Sequence, residues 1–146
     1  MRRVLPALLT LTVLVAPLPV RGQTSNPCAG RFPDTVWDAE VAAGPLTVFG
    51  SGVVSAEFQR YTDDFGSLAS LLDAELGPVE GITVCIFSDE IPWDAQAMGW
   101  PEGQRLHTAT FGEEGLVVVS AYLVRAALDA GRQGVIHAWL WRMSNG

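Results

Sequence analysis

Two histidines, two cysteines, five tryptophans and several adjacent carboxylates are the side chains of this 146-residue chain that could do chemistry. The densest arrangement is His137-Ala138-Trp139-Leu140-Trp141, in the last apolar stretch. On a helix, positions 137 and 141 lie one turn apart on one face. A neutral imidazole at 137 can ligate a metal. An indole at 141 cannot, because its ring nitrogen carries a hydrogen and is a donor only. The other histidine, His107, stands alone at the start of a β-prone run and reads as structural.

The carboxylates are less promising. Asp63 and Asp64 are helix neighbours about 100° apart, which suits a solvated face better than a metal pair. Glu113 and Glu114 sit on a turn tip, open to solvent, whereas acid–base work needs carboxyls held apart across a cleft. Asp89, Glu90 and Asp94 lack the spacing of a calcium loop. Gly50-Ser51-Gly52 lacks the flanks of a serine-hydrolase elbow. The chain contains no lysine, so a phosphate-cradling loop is excluded as well. Trp93 and Trp100, with Met98 between them, offer a sugar- or peptide-binding surface, or else fold back as a lid over the sheet.

Arg2 and Arg3, the apolar run Val4–Val20 and the Val20-Arg21-Gly22 site have the layout of a secretory signal peptide ending before Gln23. The chain has nine arginines and sixteen acidic residues. Losing Arg2, Arg3 and Arg21 leaves six against sixteen, a net charge of −10. Such a surface disfavours nucleic acid and anionic membrane as partners. No other stretch is long and apolar enough for stable membrane insertion. In a secreted or extracytoplasmic protein, Cys28 and Cys85 are expected to pair. The alternative is a buried Cys85 with Cys28 free.

These groups need a scaffold, and residues 45–146 read as one small α/β or α+β domain after a Pro-, Gly- and Ser-containing lead-in over 23–44. Val36–Ala43 suits a helical turn or an edge strand. Leu46–Phe49 predicts a strand ending in a glycine bend. Ser55 is placed to cap a long helix whose apolar stripe is Phe58, Tyr61, Phe65, Leu68, Leu72 and Leu76, stopped by Gly77-Pro78. Gly66 within it would permit close packing on a strand. Gly81–Ser88 has no polar face and predicts a strand buried on both sides. Together these make a βαβ-like unit in a small mixed sheet. Leu106–Phe111 and Leu116–Ser120 predict a β-hairpin around Gly112–Gly115. Two C-terminal helices follow. One runs from a Ser120 cap to Ala130, and the other covers Gly134–Met143 with Val135, Ile136, Trp139, Leu140 and Met143 inward.

This order of elements, with a strand ending in Phe87-Ser88-Asp89 and a helix carrying His137, resembles the N-terminal half of gluzincin-type (peptidase MA-like) metallopeptidase domains. In that family the helix carries His-Glu-x-x-His: two histidines hold zinc and the glutamate activates its water. The resemblance places His137 at the first zinc-ligand position, Ala138 at the glutamate and Trp141 at the second ligand. It therefore implies an exported domain of metallopeptidase layout that is non-catalytic and without a cofactor, with binding or scaffolding as its residual role. Two alternatives stand beside it. One is the N-terminal piece of a longer secreted metallopeptidase-like hydrolase, for which zinc would be the cofactor. The other is a small secreted carbohydrate- or peptide-binding module using Trp93 and Trp100.

Overall fold

The computed structural model describes residues 26–92 and 107–145. The segment 1–22 expected as a signal peptide, Trp93, Asp94 and Trp100 lie outside the described residues. The fold is α+β, built on a five-stranded mixed sheet of order β1-β2-β3-β5-β4.

The stretch expected as a lead-in contains two elements. Pro27–Arg31 forms a short helix, α1. The Asn26 side chain caps it by accepting from the backbone N–H of Cys28 (2.9 Å) and Ala29 (3.2 Å), and Pro27 occupies a first-turn position where no N–H is needed. Ala39–Ala43 is β1, an edge strand, while residues 36–38 precede it outside any helix or strand. It pairs antiparallel with β2, Leu46–Ser51, through a Gly44-Pro45 turn. Gly44 takes φ 62°, the left-handed value required at the first central position of such a tight hairpin.

Helix α2, Ser55–Leu76, then crosses to β3, Ile82–Phe87, which lies parallel to β2, so the βαβ unit is present. Val54 rather than Ser55 caps α2, and no side chain bonds the first turn. The extended backbone of Val54 instead presents its carbonyl to the N–H groups of Glu57 and Phe58. The buried stripe is Phe58, Tyr61, Thr62, Phe65, Ala69 and Leu72. Leu68 is only partly buried, because it sits about 60° round the helix from Phe65. Leu76, on the last turn, is 42% exposed.

Every residue of β3 is buried, as its sequence predicts. The hairpin strands β4 (Thr108–Phe111) and β5 (Leu116–Ser120) follow, with β5 parallel to β3 and β4 on the far edge. After a single 3₁₀ turn, Ala121–Leu123, the chain ends in one 22-residue helix, α3, Val124–Asn145. The two helices expected, one ending at Ala130 and the other beginning at Gly134, are thus continuous through Gly131.

Side-chain alternation divides the core in two. Leu46, Val48, Ile82, Val84, Ile86, Val117 and Val119 face α2 and α3. Phe49, Cys85, Phe87, Leu116 and Val118 face the opposite way, under the N-terminal segment carrying Cys28 and Phe32. Trp37 packs edge-on to Phe87 at 5.0 Å, as does Phe32. The Cys28–Cys85 disulfide, with a Cα–Cα distance of 5.8 Å, fastens this segment to the central strand. Arg31 adds a second fastening, its guanidinium 4.0 Å from the Phe111 ring centroid and bonded to Glu114 at 3.1 Å.

Candidate functional site

The zinc-helix positions are set by how α3 lies on the sheet. Gly131 and Gly134 are the close-approach points. A Cβ on Gly131 would stand 2.4 Å from the Phe65 ring, and one on Gly134 2.6 Å from Val117. With these glycines facing inward, Val135, Ala138 and Trp139 also face inward and are fully buried. His137 is thereby turned to solvent. Leu140 and Met143, expected inward, are 49% and 45% exposed for the same reason.

Trp141 is committed to packing. A Cβ on Gly112, in the turn between β4 and β5, would lie 2.6 Å from its ring. Gly112 thus leaves a flat seat for the indole. Of the His-x-x-x-Trp face, the histidine is free in solvent and the tryptophan pins α3 to the hairpin. Position 138, where a general base would stand, opens onto the core and not onto a cleft. The zinc of the longer-hydrolase alternative does not fit these residues: one ligand is available where three are required. Among the described residues, no group of three His, Cys, Asp or Glu side chains could hold a metal ion.

A second polar cluster lies at the C-terminal ends of the parallel strands, where ligands bind in open α/β sheets. Ser88 N–H donates to the Ser51 carbonyl at 3.0 Å, drawing β2 and β3 together. Ser120 N–H donates to the His107 carbonyl at 2.8 Å, and the Ser120 hydroxyl donates to the Asp89 carbonyl at 2.8 Å. Serine, histidine and aspartate thus meet at one end of the sheet, but through backbone groups. Ser120 is fully buried and its proton is held by a carbonyl, so it has no base to activate it. The contact organises the sheet end.

The other singled-out carboxylates also have structural partners. Asp63 is exposed and accepts from Gln59 at 2.8 Å. Asp64, expected on a solvated face, instead receives both Nε (2.8 Å) and Nη2 of Arg132, a bidentate clasp between α2 and α3. Arg132 also reaches Asp129 at 3.1 Å, and these partners raise its pKa above the ordinary guanidinium value, Asp64 contributing most. Glu113 and Glu114 are exposed on their turn as expected, with Glu114 held by Arg31.

A surface hollow of about 440 Å³ opens between Pro78–Glu80 and Arg142–Met143. Its one cation, Arg142, bonds the Gly81 carbonyl at 3.3 Å. The sequence does not announce the Asp64–Arg132 clasp, because 68 positions separate its ends. A signal did exist for the glycines of α3, whose three-residue spacing puts Gly131 and Gly134 on one face. Comparison with protein-family models, with curated proteins and with solved structures returns no match for this chain, so the functional reading rests on this geometry.

Proposed function

We propose that this chain is an extracytoplasmic domain of metallopeptidase-like layout that does not hydrolyse peptides and serves as a binding or scaffolding module. The observation that carries the reading is the pair His137 and Ala138: the first is exposed and the second is fully buried against the sheet. A water-activating carboxylate at 138 would have to be buried in an apolar core, where it has no ionised partner. Element order supports the layout, since strand, long helix, doubly buried strand, hairpin and His-bearing helix occur in the sequence the resemblance requires. Export is supported by the signal-like residues 1–22 and by the Cys28–Cys85 disulfide, which suits an oxidising compartment. Among the described residues no helix is long and apolar enough to cross a membrane.

The test is elemental analysis of protein purified without chelator, beside a peptidase assay with and without added zinc. The expected outcome is no stoichiometric zinc and no zinc-dependent cleavage. Stoichiometric zinc lost in His137→Ala would overturn the reading.

A further inference from the structure

Strand β1 is one edge of the sheet, and no described residue pairs with its outer side. Two features show which of its backbone groups face outward. The two-residue Gly44-Pro45 loop closes on Ala43 and Leu46, which makes that pair the hydrogen-bonded type. At the other end, Asp38 N–H donates to the Gly50 carbonyl at 3.1 Å, beside the Ala39–Gly50 pair. Two consecutive residues set against one acceptor form a bulge over a hydrogen-bonded pair. Both ends agree: Ala39, Val41 and Ala43 direct their backbone groups to β2. By alternation, Glu40 and Ala42 direct theirs away from the sheet.

We propose that β1 is a self-association edge, through which two copies of this chain pair antiparallel about a twofold axis at Val41, joining their sheets into one. In this register Glu40 of each copy exchanges both backbone hydrogen bonds with Ala42 of the other. All the outward groups of the strand are then satisfied at once. The arrangement is isologous, each strand offering and receiving the same set. Opposite each Glu40 carboxylate stands a methyl group. A register centred on Glu40 would set two carboxylates face to face. A register centred on Ala42 would run each strand into the other's Gly44-Pro45 turn. Val41, 36% exposed, meets its copy across the axis in a non-hydrogen-bonded pair, the closer of the two kinds of cross-strand approach. β1 also lacks the lysine or proline that commonly guards an edge strand. A second copy fits this edge better than an arbitrary peptide, because the complementarity is of β1 with itself.

The contact is small, so the dimer is a weak one, populated at about 10–100 μM and above. The experiment is light scattering on a concentration series of the secreted protein, its native disulfide intact, with two variants. Ala42→Pro removes an outward N–H that makes no bond to β2. It should weaken dimerisation about tenfold or more while circular dichroism and the melting midpoint stay near wild type. Val41→Cys places two thiols across the axis, and mild oxidation should give a disulfide-linked dimer. Val36→Cys, exposed but off the pairing register, should not cross-link. A monomeric mass up to about 1 mM would overturn the proposal. A dimer that survives Ala42→Pro and leaves Val41→Cys uncross-linked would also overturn it, by locating the interface elsewhere.

Discussion

At the scale of single residues, side chains that look reactive in the sequence are employed in packing. Trp141 fills the seat left by Gly112, the Ser120 hydroxyl closes the sheet end, and Asp64 clasps Arg132. A perturbed group that no chemical motif singled out is Tyr61. It is fully buried in the helix-side core, 5.8 Å from the Phe65 ring. Burial, reinforced by Glu57 and opposed by Arg60, pushes its phenol up to about 12. The folded state thus holds the phenolic proton more tightly than the unfolded chain does. The stability this represents is complete below about pH 10 and is lost as pH rises toward 12. Chemical denaturation across the alkaline range should therefore show flat stability up to about pH 10 and then a decline. That decline should be shallower in Tyr61→Phe, which has no proton to lose.

At the scale of elements, the sequence and the structure part most clearly over α3. Glycine in a helix interior costs about 1 kcal/mol relative to alanine, which is why Gly131 reads as a break. The helix runs through it because Gly131 and Gly134 let α3 settle on Phe65 and Val117 at distances no Cβ allows. Gly131→Ala should consequently destabilise the protein by about 1–3 kcal/mol, since the added methyl overlaps the fully buried Phe65 ring. Propensity alone predicts a gain of about 1 kcal/mol, so urea denaturation decides by the sign of the change. Helix α2 is more legible: four of its six buried positions, Phe58, Tyr61, Phe65 and Leu72, belong to the expected stripe, and Gly66 does face β1, although at 3.4 Å from Ala43 its would-be Cβ makes an ordinary contact. Of the stripe's other members, Leu68 packs partly buried against the core and Leu76, on the last turn, is exposed.

At the scale of the whole molecule, the two faces of the sheet are covered by different means. Among the described residues, helices α2 and α3 cover one, while Cys28, Phe32 and Trp37 of the N-terminal segment pack on the other together with Ile91. The disulfide fastens this N-terminal segment to the sheet, closing a separation of 57 residues. Cys28→Ala is expected to cost about 2–4 kcal/mol, chiefly by freeing the unfolded chain. Thermal melts of wild type and variant should show that gap, and the same loss should appear in wild type after reduction. Equal stability of oxidised and reduced protein would assign the segment's hold to Arg31 and the aromatic contacts alone.

What the sequence determines by itself is local or nearly so. The doubly buried β3, the βαβ order, the Gly112–Gly115 hairpin and the Gly77-Pro78 stop follow from periodicity and turn chemistry within short windows, and the expectation of export favours the cysteine pairing over a free Cys28. What only the tertiary structure decides depends on surfaces distant in the chain. Residues 39–43 become a strand because β2 offers them a hydrogen-bonding partner. Gly131 is tolerated because Phe65 lies beneath it. His137 faces water while Ala138 faces the core because α3 can approach the sheet only on its glycine side. Motif spacing places two side chains on one helix face, but the azimuth of that face is set by where the helix packs most closely, a property of the helix and the sheet together.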